Sequence, residues 1–549
     1  MSIFTDVFVR PPRRSMQVLD HPLMTSTDFG KLIPILVEDL VPGDIFKVQS
    51  ALEIQLLPTL APFRHGIEAR VDYFFVPNRI LWNDWEKFIT GGEDGTDVPA
   101  KPYLSMVEQQ CQVGSLWDYM GLPPQIDIGA RGNEDVLDPS SEVLIDALPF
   151  RAYEAIFQEW YRDENLETPG GIENIPKTGG HDYNSYNLHY RGLKKDYFTS
   201  ALPWTQRGPQ VDIPLAGSAP VTTRTVPGLT AETGAYEYSN GADFANTDAR
   251  DVKLIPRESN QPTADLYAVN TQGLSQKLKH VHSIPSLLAE GTADLSEASA
   301  ITINELRRLN AVQKWFEKNA RAGARYVEQI LSHFGVRTPD YRLDRPEYLG
   351  GTKQILGMAQ VLQTSETGTS PQGARAGVGY GNLLAKSRKF RADEHGWIIG
   401  LLSIIPAQNI YCDGFPRKFT RETKFDYFFP AFQMLGEQDI KYKEIFGYAV
   451  TGDVPMDKAF GYTPRYAEYR YHPGEITGEM RTSKAFWHMG RIFNEQPHLN
   501  DEFISSYYSL EDYDRLFPTD AELGDRFTVT CQHFERIRRP MMKNPNPSL

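Results

Sequence analysis

The run WIIGLLSIIP at residues 397–406 constrains this chain most. It is its longest strongly apolar stretch, yet about half of the roughly 20 residues that a membrane-spanning helix needs. It is too apolar to alternate and reads as a strand buried on both faces, with a short core helix as the alternative. The segment IEARVDYFFVP (67–77) does alternate: Ile67, Ala69, Val71, Tyr73 and Phe75 point one way, and Glu68, Arg70 and Asp72 the other. From residue 30 to 77 the pattern stays strand-like, punctuated by Pro34, VPGD at 41–44, Pro58 and Pro62. Further strands are expected at 443–451 (KEIFGYAVT), 465–473 (RYAEYRYHP) and 525–537 (DRFTVTCQHFERI). Strands so widely separated predict an antiparallel sandwich or barrel interrupted by long loops.

At 549 residues the chain exceeds one ordinary hydrophobic core, about 250–300 residues, so a large core with insertions or a second domain is expected. Two helices stand out. One covers 150–166, FRAYEAIFQEWYRDENL. The other covers 303–334, bends near Gly323, and carries a stop signal in His333, Gly335 and Pro339. Between them, residues 217–300 are rich in Thr, Ala, Gly, Ser, Asn and Asp, the signature of a functional or disordered loop.

The helix at 150–166 holds four carboxylates among aromatic rings, as a glycosidase or a di-metal site would. On a helical wheel Phe150, Tyr153, Ile156, Phe157, Trp160 and Tyr161 share one arc, while Arg151, Gln158, Glu159 and Arg162 lie opposite. Glu154 and Glu159 diverge by about 140°, so they cannot flank one bond. The helix reads as a packing element, with Glu164 expected to be buried against a basic partner. GVGYGN (377–382) lacks the third glycine of a phosphate loop and reads as a turn. His280 and His282 in KHVHS share a strand face but have no further ligand at metal spacing. Cys111, Cys412 and Cys531 form no CxxC pair, so neither a disulfide framework nor structural zinc is expected. No cofactor motif occurs. The arginines of MSIFTDVFVRPPRRSM follow its apolar residues, the reverse of a secretory signal, which predicts a soluble cytosolic product.

A formal net charge of −14 argues against a chain coated in nucleic acid; any such contact is local or shared with a basic partner. Positive charge nonetheless gathers at both ends, as Arg10, Arg13 and Arg14, and as Arg536, Arg538, Arg539 and Lys543. Lys386, Arg388, Lys389 and Arg391, and Arg481, Lys484 and Arg491 near Phe486 and Trp487, interleave cations with rings. That mixture suits single-stranded nucleic acid, whose phosphates meet cations and whose bases stack. Solvated termini and a salt-bridged surface are the rival reading.

Longer blocks are more specific. DFGKLIPILVEDLVPGDIFKV (28–48), DYFFVPNRILWNDWEKFI (72–89), LPFRAYEAIFQEWYRDENL (148–166), DYFTSALPWTQRGP (196–209), the stretch 313–351 and GYTPRYAEYRYHPGEITGEMR (461–481) follow one another in order. Together they resemble the major capsid proteins of the Microviridae, phages with small circular single-stranded DNA, and within them the gokushovirus branch. The resemblance implies a mainly β, eight-stranded antiparallel jelly roll with long inter-strand insertions containing a few helices. Residues 1–216 and 301–549 would form the core, and 217–300 a surface protrusion at the threefold axis. It also implies a T=1 icosahedral homo-oligomer around single-stranded DNA, without catalysis. Implied partners are a small basic DNA-binding protein, a scaffolding protein, a pilot protein and a host-cell receptor. The Tyr-rich block gives interface candidates in Tyr466, Tyr469, Arg470 and Tyr471, with core packing as their rival. From the residues alone, a β-sandwich carbohydrate-binding or glycan-hydrolysing protein is the alternative function.

Overall fold

The computed structural model describes residues 14–63, 65–106, 111–127, 136–137, 143–168, 176–209, 211, 303–323, 325–362, 364, 372–373, 375–449, 452–506, 510–518 and 524–542, with five short strands between 221 and 293. The chain divides into two compact units, Pro209–Gln313 and the remainder.

The larger unit is built on ten strands: β1 (Ser15–Val18), β2 (His21–Thr27), β3 (Ile33–Leu40), β4 (Ile45–Thr59), β5 (Ile67–Pro77), β6 (Glu347–Leu362), β7 (Arg375–Leu384), β8 (Arg388–Arg391), β9 (Gly396–Pro406) and β10 (Phe527–Arg539). All pairings among them are antiparallel. Eight follow the spatial order β2-β10-β4-β7-β6-β5-β9-β3; β1 extends the pairing of β10, and β8 that of β4. Since β3 and β4 are joined by a short turn yet lie far apart in this order, the sheet must curl back on itself. The result is a jelly roll, with residues 78–346 inserted between β5 and β6 and 407–526 between β9 and β10. Strand β6 joins the two halves: Glu347 to Leu356 pair with β5, and Gly357 to Leu362 with β7.

The roll is filled from both halves by Phe46, Leu52, Ile54, Val71, Tyr73, Phe75, Ile398, Leu402, Phe527 and Val529. The alternation expected for 67–77 is therefore present, but its polar side is covered as well. Glu68 meets Lys194 at 2.7 Å, and Asp72 meets Arg70 at 2.7 Å and accepts hydrogen bonds from the hydroxyls of Tyr161 and Tyr348. A second apolar cluster lies on the outer side of this half, where Leu32, Phe74, Val76, Ile399 and Leu401 pack against Trp82, Trp117, Phe150 and Tyr153. Strand β9 is thus buried on both faces, as its sequence predicts.

The first helix, α1 (Leu148–Ile156), continues into a π-helical turn, Phe157–Tyr161, closed where the Arg162 N–H donates to the Phe157 carbonyl at 2.9 Å. The helix expected at 303–334 is two helices, α2 (Ile303–Ala322) and α3 (Tyr326–Phe334). Gly323, at φ +107°, makes the break, because a Cβ there would stand 2.0 Å from the Glu328 carboxylate. Gly335, at φ +70°, closes α3.

Three expectations of secondary structure fail. Residues 443–451 contain a helical turn, Tyr442–Ile445, in place of a strand. The 465–473 block turns at Tyr466 (φ +61°) into a 3-10 segment, Ala467–Tyr469. GVGYGN is not a turn but the middle of β7. The smaller unit contains the pair Val221–Thr223 with Gly291–Ala293, and a meander of Lys253–Pro256, Leu266–Val269 and Ser275–Lys277.

Candidate assembly and nucleic-acid surfaces

Of the basic terminal residues, Arg10, Arg13 and Lys543 lie outside the described residues. The others meet at one corner of the roll, because β1 pairs with the end of β10 in the register Ser15 to Arg539, Met16 to Arg538 and Val18 to Arg536. Arg536 donates to the Asp20 carboxylate, and this bond holds that carboxyl below its usual range. Arg539 donates to the buried Asp44 at 2.9 Å and to the Asp39 carbonyl at 2.9 Å. Arg14 and Arg538 are exposed and form no ion pair among the described residues.

In the cluster at 481–491 the cations are bonded within the subunit, Arg491 buried and Arg481 and Lys484 exposed. Arg491 is buried over Phe503 and donates to the Phe503 carbonyl at 2.9 Å, Arg481 donates to the Ile476 carbonyl, and Lys484 pairs with Glu479.

The tyrosine block splits. Tyr466 is buried: its N–H donates to Gln438 at 3.0 Å, and its ring meets that of Phe428 edge-on. Tyr469 is half exposed beneath the Arg421 guanidinium, 4.6 Å from its ring centre, and Arg470 and Tyr471 are exposed beside it. These three border a surface that the sequence reading missed. In FPRKFTRETKFDYFFPAFQML (415–435), Phe415, Phe419, Phe425, Tyr427, Phe428, Phe429, Met434 and Leu435 are all exposed, Met434 most of all. Rings crowded around turn residues without strand or helix periodicity are the signal that was available. Exposed apolar surface on this scale is characteristic of regions where proteins meet other molecules.

Beside it opens a cleft of about 440 Å³ walled by Phe198, Tyr411, Phe419, Tyr471 and Arg481. Of its three carboxylates, Glu475 is exposed and pairs with Lys418 at 3.0 Å, and the other two are committed to structure. Glu444 and Glu468 both lie against Arg417, at 3.1 and 4.0 Å, the Tyr197 hydroxyl donates to Glu444 at 3.0 Å, and burial pushes the Glu444 carboxyl up. A guanidinium wedged between two carboxylates holds a loop together and leaves neither to attack a glycosidic bond.

The carboxylates around α1 are spent in the same way. Glu154 pairs with His189 at 2.6 Å, and Glu164 meets Arg325 at 3.0 Å, the basic partner expected for it, with both side chains partly rather than fully buried. Glu159 reaches both Arg325 and Arg345 at 3.8 Å. Arg151, expected on the outer face, is instead buried: it donates to Asp182 at 2.8 Å and to the carbonyls of Leu81 and Thr178. A following segment, 178–186, wraps the face that a helical wheel leaves open. The His280/His282 pair lies outside the described residues, among which no three His, Cys, Asp or Glu side chains are placed to hold a metal. No described helix is long and apolar enough to cross a membrane.

Comparison with known proteins gives a single answer. Residues 9–549 match the family described as "Capsid protein (F protein)". The chain is 33% identical to the capsid protein VP1 of Chlamydia phage 1, covering 92% of this chain and 91% of that protein. It is 35% identical to the capsid protein VP1 of Bdellovibrio phage phiMH2K, over 88% and 86% of the two chains. For the capsid protein VP1 of Spiroplasma virus 4 the identity is 30%, over 91% and 89%.

Proposed function

The chain belongs to the F-protein capsid family of the Microviridae, and from that premise we propose that its copies close into a T=1 icosahedral shell around circular single-stranded DNA. That it is a structural capsid protein, a virion component and not an enzyme follows from the family itself. The glycan-hydrolase alternative falls on the same ground. The finer reading rests on one observation above others: the family match runs almost end to end, from residue 9 to residue 549. The uncovered rings at 415–435 support it, since closed shells bury such surfaces between subunits. Tyr469, Arg470 and Tyr471 belong to that contact in this reading, and Tyr466 supports it from beneath.

Residues 217–300 are proposed to form the exposed protrusion, at the threefold axis, that meets the host-cell receptor. Their small polar composition suits a tip that tolerates change. A scaffolding protein, a pilot protein and a small basic DNA-binding protein would complete the particle, assembled in the host cytoplasm. A basic partner would offset part of the −14 charge that this chain presents to DNA.

Electron microscopy of the full-length chain, produced with and without those partners, tests the shell. Uniform closed particles containing nuclease-protected single-stranded DNA are expected. A soluble monomer under every condition would overturn the reading. Deleting most of 217–300 is expected to leave particles intact and abolish host adsorption.

A further inference from the structure

The half of the roll formed by β2, β10, β4 and β7 buries one face only, so every second residue of its strands points outward. At the end nearest β1, strand register aligns the outward residues into two rows. One row is Val18, Arg536, Lys47 and Lys389; the next is Met16, Arg538, Ile45 and Arg391. Neighbouring strands lie about 4.8 Å apart and successive outward residues about 7 Å apart. Five cations therefore share one small patch of a chain whose net charge is −14.

Two of the five are compensated, Arg536 by Asp20 and Arg391 by the exposed Asp393 at 3.4 Å. Lys47, Lys389 and Arg538 are exposed, and among the described residues none has an ionic or hydrogen-bonding partner. Like charges directly opposite one another on adjacent strands destabilise a sheet, so Lys47 beside Lys389 costs the isolated subunit stability. Arg14, which precedes β1, is exposed and adds positive charge to this corner. Two residues along β10 on the same face stands Phe534, 43% exposed, with its ring free beside the cations. Unpaired cations next to an open ring are what a single strand needs, phosphates on the first and a base on the second.

We propose that this corner of the open face is where the subunit holds the backbone of single-stranded DNA, with Lys47, Lys389 and Arg538 on phosphates and Phe534 beneath a base. The proposal deepens the shell reading and rests on it. It also moves the contact away from Arg536 and Arg539, which the sequence singled out but which are bonded within the subunit.

The test uses the full-length chain, a 30-nucleotide oligo(dT) and a duplex of equal length, with fluorescence anisotropy across a salt series. Combining Lys47→Gln, Lys389→Gln and Arg538→Gln is expected to lower the slope of log affinity against log salt by about 2, at about 0.7 per lost phosphate contact on a single strand. Phe534→Ala is expected to weaken oligo(dT) binding about tenfold with no change in slope, and to affect the duplex much less. Arg342→Gln, which lies in neither row, serves as the control with an unchanged slope. The triple variant is expected to melt at the same temperature as the parent or higher, because opposed charges have been removed. Should it fail to fold, Lys389→Gln alone is read instead, with an expected fall of about 0.7.

An unchanged slope in a folded variant, while parental particles still protect DNA, overturns this inference and leaves the shell reading standing. Parental particles that protect no DNA overturn both. An acidic protein that co-purifies with the parent and is lost from the variant, with the oligo(dT) slope unchanged, would assign the patch to a protein partner and overturn the proposal.

Discussion

The two halves of the roll use the same strands-in-register architecture and opposite sequence patterns. In the half β6-β5-β9-β3, strands β5 and β9 are buried at nearly every position; in β2-β10-β4-β7, buried and outward residues alternate. WIIGLLSIIP and FTVTCQHFERIRR express this difference directly. The first has the roll interior on one side and the Trp82–Trp117–Phe150 layer on the other. The second has the interior on one side only. A strand pattern therefore reports how many layers cover it, and the half left uncovered is the one available to other molecules.

The largest expected effect lies under the closed half. Asp182→Ala leaves the Arg151 guanidinium, 1% exposed, without its carboxylate. Breaking a buried pair from one side costs about 3–5 kcal/mol. The loss should appear as a fall in the urea midpoint of the purified subunit. Combining Arg151→Met with Asp182→Leu should recover most of it, since a matched apolar pair leaves no buried charge. A loss below about 1 kcal/mol would mean that water reaches this layer, and the closed half would not be closed.

The seam between the halves comes next. Gly377, Gly379 and Gly381 lie where β7 passes against β4 and β6. A Cβ at Gly377 would stand 2.4 Å from the Thr59 hydroxyl and 2.8 Å from the Ala61 carbonyl, the latter a backbone atom with little room to move. Gly377→Ala is expected to cost about 1–3 kcal/mol by overpacking, measurable in the same urea experiment. These glycines show why the sequence was misread at this point. GVGYGN satisfies a close approach of chains, a tertiary demand that looks in isolation like turn chemistry. Strands β6 and β7 escaped notice for the same reason, with Gly350, Gly351 and Gly357 interrupting an otherwise extended run.

The other misreadings have related causes. KEIFGYAVT and RYAEYRYHP have strand-like composition, but Glu444 caps the first turn of a helix and Tyr466 adopts a left-handed backbone held by Gln438. The second contact comes from elsewhere in the chain; the first is local, between the Lys441 N–H and the Glu444 carboxylate three residues on. Arg151 belongs with them, because only the returning segment 178–186 makes its outer position an inner one. What was legible depended on repeated local pattern: β5, β9 and β10, the break at Gly323, the stop at Gly335 and the cation expected for Glu164. The basic corner was half legible. Arg538, Lys389 and Arg391 were named from the sequence in separate clusters and Lys47 was not; only strand register brings the four together.

A smaller effect lies inside the open half. Glu535 points into the roll with neither carboxylate oxygen hydrogen-bonded, and burial together with Glu38 and Asp20 pushes its carboxyl up to about 8. His533, hydrogen-bonded to Ser50 at 2.8 Å, is driven down to about 4 by burial and the neighbouring His21. For Glu535 the unfolded chain ionises first, so its contribution is complete below about pH 4.5 and is lost as pH rises toward about 8. For His533 the sign reverses: stability is lost as pH falls from 6.5 toward about 4, because only the unfolded imidazole takes up the proton. Glu535→Gln is expected to stabilise the subunit more at pH 8 than at pH 5, by about 1–3 kcal/mol, the scale of a buried polar group without a hydrogen bond. Parallel pH profiles for parent and variant would show that Glu535 is solvated and that the open half leaks.

The smallest effect is the most discriminating. Met24, on β2 opposite Thr530, is 79% exposed on the open face, whereas Leu401, on β9, is 1% exposed. Met24→Lys adds a charge to water and is expected to change the stability of the isolated subunit by less than about 0.5 kcal/mol. The same replacement at Leu401 puts an ammonium between two apolar layers and should abolish folding. Thermal melting of the two variants measures both. If Met24→Lys cost the isolated subunit more than about 1 kcal/mol, some part of the same chain would have to cover that strand. The outer face of β2, β10, β4 and β7 would then be closed to DNA and to neighbouring subunits alike.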